Sequence, residues 1–151
     1  MSEEWKEIFV EWCGENGFLG KNKNGGIVQI GTIDGHPGAS PMELLLLGVG
    51  GCTAVDIVSI LKKQRQNLTE FMVEVRGKRA EIHPRVYTDI EIIYHLWGEN
   101  LESKAVVKAI KLSEDKYCSA SAMLRSSARI SSKYVLHAPG ENYQFLDNDA
   151  R

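Results

Sequence analysis

No block of like charge runs through this sequence, and no two of its cysteines share a C-x-x-C spacing. The first absence, with 18 basic against 20 acidic residues and a net charge of -2, argues against a nucleic-acid partner and offers no patch for an anionic membrane surface. His36, His83, His95 and His137 form no H-x-x-x-H arrangement either, so metal-ligand spacing is missing and no resident metal or cofactor is expected. Only three cysteines are present, Cys13, Cys52 and Cys118, an odd number too widely spaced for a disulfide framework. The opening MSEEWKEIF lacks the basic and apolar regions of a secretion signal, and a reducing cytoplasm is the expected compartment. Repeats and low-complexity segments are absent.

What is there suits a soluble core: 43% hydrophobic and 25% charged residues in 151, enough for one domain. The reading places that domain over residues 1–138 and a polar tail over 139–151. The longest apolar run, Leu44 to Leu61, is interrupted by Asp56 and three glycines and sits at the lower length limit of a membrane span, so no membrane is expected.

Turn chemistry at Glu15-Asn16-Gly17, Asn24-Gly25-Gly26 and Asp34-Gly35 predicts three strands: Trp5 to Cys13, Gly17 to Lys21 and Ile27 to Ile33. SPME then reads as a helix start, with Ser40 as N-cap, Pro41 at the first helical position and Glu43 closing a capping box. The helix continues to about Gln66 and is apolar almost all round. Alternation at Phe71-Val73-Val75 and Ile90-Ile92-Tyr94-Leu96 predicts a hairpin. A helix over 101–118, a short one capped by Ser119 and a final strand from Ile130 to Leu136 complete the order βββ-α-ββ-α-(α)-β, an α+β fold.

The chemistry question is posed by GVGGCTAVD. Three helical glycines cost about 1 kcal/mol each relative to alanine, so something needs the missing side chains. Either another chain segment packs closely here, or the helix breaks at Gly50-Gly51 and restarts with Cys52 at a fresh N-terminus. A cysteine in such a run is by default an inert core filler. Cys118, at a helix boundary in EDKYCSASAML, offers a second sulfur. A thiol peroxidase needs two, one to become a sulfenic acid and one to condense with it. Cys13 has no such partner in sight and reads as packing. LLLLGVGG fails as a dinucleotide loop because Thr53 stands where Gly or Ala is needed. G-x-C-x-A also resembles a nucleophile elbow with His137 as a conceivable base, which keeps a cysteine hydrolase as a third reading.

SPMELLLLGVGGCTAVDIVSILKKQRQ followed by EDKYCSASAML resembles the OsmC/Ohr family, the osmotically inducible and organic hydroperoxide resistance proteins, and within it the OsmC-like branch. The likeness runs from about Phe9 to Leu136. It implies an intertwined homodimer, with two long helices packed back to back between sheets built from both chains and active sites at the interface. It also implies that Cys52 is the peroxidatic cysteine and Cys118 the resolving one, in a peroxidase for organic hydroperoxides. The reductant implied is an external dithiol, typically dihydrolipoyl groups, with no flavin or metal. The Ohr enzymes set their reactive cysteine beside an arginine from the N-terminal strands and a glutamate ten positions before it. Here the first arginine is Arg65 and position 42 is Met. Glu43 is the nearest substitute for the glutamate, with a capping role competing for it, and Asp56, one turn beyond Cys52, is a second polar support. Arg65, Arg125 and Arg129 are the candidate cations. A binding protein that uses the same pocket for an apolar or electrophilic small molecule, without turnover, is the competing class.

Overall fold

The structure is a computed structural model and describes residues 4–144. Its contacts divide the chain into two compact units, one ending at Leu45 and one beginning at Leu46.

In the first unit, β1 (Ile8–Trp12), β2 (Phe18–Asn22) and β3 (Ile27–Ile30) form an antiparallel sheet in that order. A small hairpin follows, β4 (Thr32–Ile33) and β5 (His36–Pro37), turning at Asp34-Gly35 with φ of 49° and 76°. The β1–β2 turn uses Gly14 and Glu15 as its positive-φ residues, not the expected Asn16-Gly17. Gly17 has another reason to be glycine: a Cβ there would stand 2.5 Å from the Thr32 carbonyl oxygen. Ile8, Val10 and Trp12 lie on one face of this sheet and remain exposed. With Val28 and Leu44, Ile8 and Val10 line an apolar groove of about 490 Å³.

Helix α1 (Pro41–Lys63) begins as its sequence dictates. The Ser40 amide donates to Glu43 Oε2 at 2.7 Å, and the Glu43 amide donates to Ser40 Oγ at 3.2 Å, a complete capping box. The helix is continuous through Gly50-Gly51, so the alternative of a restart at Cys52 is overturned. Val49, Thr53, Ile57 and Leu61 are its fully buried stripe, each large apolar member contributing about 1.5–3 kcal/mol. By length and mean hydropathy α1 could cross a bilayer. Leu47 and Val55 are 61% and 72% exposed, so much of its apolar surface is uncovered in the single chain.

The second unit is built on a three-stranded sheet. Strand β6 (Asn67–Arg79) pairs antiparallel with β7 (Tyr87–Glu99), which pairs parallel with β8 (Arg129–His137). The inner face carries Val73, Val75, Ile90, Ile92 and Tyr94. Helix α1 approaches it so closely that a Cβ on Gly50 would meet Val75 Cγ2 at 3.1 Å. That close approach explains Gly50. Gly48 and Gly51 face open space in the single chain. Between β7 and β8 lie α2 (Ser103–Leu112), a π-helical turn (Ser113–Tyr117) and α3 (Ser119–Leu124).

On the outer face, Trp97 Nε1 donates to the Glu141 carbonyl at 2.7 Å, and the Tyr143 ring lies over His95 with centroids 4.3 Å apart. The expected tail is thus docked on the sheet as far as Tyr143. Residues 145–151 of it lie outside the described residues.

Candidate active site

Cys52 sits midway along α1 and is half-buried. Cys118 is only 3% exposed. Although 66 positions apart in sequence, the two free thiols come near enough for Cys52 to push the Cys118 thiol upward. Joining them as a disulfide takes the loss of two protons and two electrons and brings the sulfurs to about 2.05 Å.

Cys118 is held from several directions. It is itself the N-cap of α3, with its sulfur accepting from the Ser121 amide at 3.4 Å; the expected cap, Ser119, is the first helical residue instead. The Ser121 hydroxyl lies 3.1 Å from the same sulfur. Burial pushes the Cys118 thiol above its ordinary value, the Ser121 hydroxyl and amide pull it back, and Cys52 adds to the rise. Cys118 is therefore held in its thiol form at neutral pH, a donor beside the more accessible Cys52.

The π-helical turn delivers Cys118 to this position. Its closing bond runs from the Cys118 amide to the Ser113 carbonyl at 2.7 Å. Single π turns of this kind cluster at functional sites. Three side chains from elsewhere pin the turn. Fully buried Ser113 donates its hydroxyl to Asp56 Oδ2 at 2.9 Å. Tyr94 donates to Glu114 Oε1 at 3.0 Å, and Arg125 Nη2 donates to the Glu114 carbonyl at 2.6 Å. Burial, reinforced by the Glu114 charge, raises the Tyr94 phenol far above its ordinary value and keeps it a donor.

Of the residues singled out by sequence, Cys52, Asp56 and Cys118 come together. Asp56 engages the turn that carries Cys118. Glu43 is occupied in the capping box of the first helical turn. Arg125 is committed to a backbone carbonyl and Arg129 to Asp89 at 2.7 Å. The hydrolase reading is overturned, because Cys52 lies inside a continuous helix and not at a strand-to-helix elbow. Its supposed base, His137, is turned toward His95 at 3.1 Å. Cys13 is exposed on the first unit, its sulfur 3.6 Å from the Glu11 carbonyl. Among the described residues, no group of three or more His, Cys, Asp and Glu is placed to hold a metal ion.

Sequence reasoning missed Ser113, Glu114, Ser121 and Tyr94. Ser121 had a readable signal, since a side-chain acceptor three residues before it is N-cap spacing.

A family model described as OsmC-like protein matches residues 33–133. The protein YhfA of Escherichia coli K12 is 37% identical over 129 residues, covering 85% of this chain and 96% of its own. A crystal structure of a hypothetical protein from Aquifex aeolicus VF5 superposes with a TM-score of 0.79 at 39% identity, over 89% of this chain and 98% of that one. The organic hydroperoxide resistance protein OhrB of Bacillus subtilis shares the fold, with a TM-score of 0.59 at 13% identity over 89% of this chain and 100% of its own.

Proposed function

Because the chain belongs to the family of OsmC-like proteins, we propose that it is a thiol-dependent peroxidase for organic hydroperoxides. The observation that carries this reading is the nearness of two free thiols inside one unit of one chain, where Cys52 pushes the Cys118 thiol upward. Cys52, the more accessible sulfur, attacks the peroxide oxygen of ROOH and takes one oxygen as a sulfenic acid, releasing the alcohol ROH. Cys118 then attacks the Cys52 sulfur, forming the Cys52–Cys118 disulfide and releasing water. An external dithiol, with dihydrolipoyl groups as the expected type, returns both cysteines to thiols and leaves as its own disulfide. No flavin or metal takes part in these steps.

The working form is a cytoplasmic homodimer. Its support is the uncovered apolar surface: Leu47 and Val55 on α1, beside Gly48 and Gly51, and separately the Ile8, Val10 and Trp12 face of the first sheet. A second copy covers these surfaces in this reading, where a bilayer would have to accept Asp56 in mid-helix. A groove of about 450 Å³, lined by Val55, Ile60, Leu112 and Tyr117 together with Asp56, Lys63 and Lys108, opens one turn beyond Cys52. Its apolar side chains offer the organic part of a hydroperoxide a surface that hydrogen peroxide cannot use.

The test is consumption of cumene hydroperoxide with dithiothreitol or dihydrolipoamide, comparing wild type with Cys52→Ser. Turnover that disappears in the variant supports the assignment. Undiminished turnover in the variant removes Cys52 as the nucleophile, and absence of turnover in both leaves ligand binding without catalysis as the role of the site.

A further inference from the structure

Asp56, the carboxylate nearest in sequence to Cys52, accepts its hydrogen bond not from a sulfur but from Ser113. Ser113 is fully buried, and its carbonyl accepts the Cys118 amide that closes the π-helical turn. Two hydrogen bonds, of 2.9 Å and 2.7 Å, thus connect the helix carrying Cys52 to the backbone carrying Cys118 through one residue.

We propose that the Asp56–Ser113 hydrogen bond is a clamp that sets the approach of Cys118 to Cys52, making Asp56 and Ser113 positioning residues for disulfide closure. This rests on the redox-pair reading above and deepens it. The physical case is one of proximity. Two thiols on separate elements react slowly unless the elements are held in register, and effective concentration falls steeply when one sulfur is misplaced by about 1 Å. A bond from a hydroxyl to a carboxylate is charge-assisted and directional, and both partners here are fixed on helical backbone. Asp56 lies one turn from Cys52, so any rotation of α1 that moves the sulfur also moves the carboxylate. The clamp holds one register between the two.

A hydroperoxide-free equilibrium tests this independently of peroxidase turnover. In a Cys13→Ser background, the protein is equilibrated with oxidised and reduced glutathione. One glutathione disulfide is consumed and two glutathione thiols are released for each Cys52–Cys118 bond formed, and the ratio gives the effective concentration of the pair. Asp56→Ala and Ser113→Ala are each expected to lower that value about tenfold, with the double variant no lower than either alone. Asp56→Asn keeps an acceptor for the Ser113 hydroxyl and is expected to restore most of it. Unchanged values in both alanine variants, additive losses, or an Asn variant as poor as Ala each overturn the clamp. If either alanine variant does not fold, the other and Asp56→Asn still decide. Wild type that closes the disulfide readily but consumes no cumene hydroperoxide removes the peroxidase reading and leaves the clamp standing.

Discussion

His95 Nδ1 and His137 Nε2 face each other at 3.1 Å within the outer layer of the second unit, both rings buried. Glu74 Oε2 lies 3.5 Å from the other nitrogen of His95, and Glu141 Oε1 lies 3.9 Å from the other nitrogen of His137. Burial holds His95 below its ordinary value of 6.5, with the neighbouring His137 adding to the depression and Glu74 opposing it. The unfolded chain therefore binds this proton more readily than the folded one. Unfolding free energy is expected to be fully present above about pH 6.5 and to fall as pH drops from there through the lowered folded value. Urea denaturation midpoints between pH 7.5 and 5 check this, and His95→Phe should flatten the slope. A midpoint that rises on acidification contradicts the assignment.

Alkylation should rank the thiols. Cys118 is buried and its pKa is raised above 9.0, so iodoacetamide at pH 7.5 should modify Cys13 and Cys52 well before Cys118, as read by mass spectrometry of peptides. The Cys118 rate should climb as pH passes 9. Ser121→Ala removes a hydroxyl that lowers this pKa and should slow Cys118 further.

The helical glycines separate internal packing from association. A Cβ at Gly50 meets Val75 at 3.1 Å, whereas at Gly51 it meets nothing within 4 Å of the same chain. Gly51→Ala should therefore gain close to the full helix propensity difference of about 1 kcal/mol in the single chain, and Gly50→Ala less, because Val75 must shift. In the proposed homodimer, Gly51→Leu should break association. Sedimentation velocity reads this: wild type at the dimer mass and the variant at the monomer mass. Equal masses contradict that packing.

Much of the scaffold was legible because its signals are local. Ser40 and Glu43 announce their capping box within four residues, and Asp34-Gly35 supplies the positive φ of its hairpin. Period-two alternation located β6, β7 and β8. The parallel pairing of β8 with β7 was not legible, since a strand's own pattern carries no information about the direction of its neighbour. Nor was the π-helical turn: SEDKY continues the helix with one residue more in the loop of each hydrogen bond and leaves no compositional mark. The contact of Ser113 with Asp56 spans 57 residues and that of His95 with His137 spans 42, so both depend on how the elements pack. Cys52 and Cys118 were recognisable as a pair through resemblance, while the influence of one thiol on the other emerged only from the fold.

The central claim is that these two sulfurs form one redox unit, and a stoichiometric pulse of cumene hydroperoxide on the reduced protein tests it most directly. After quenching with iodoacetamide, non-reducing peptide mapping is expected to recover the segment containing Cys52 joined to that containing Cys118, with Cys13 alkylated. Recovery of Cys52 and Cys118 as separate alkylated thiols, with the peroxide unconsumed, contradicts the account.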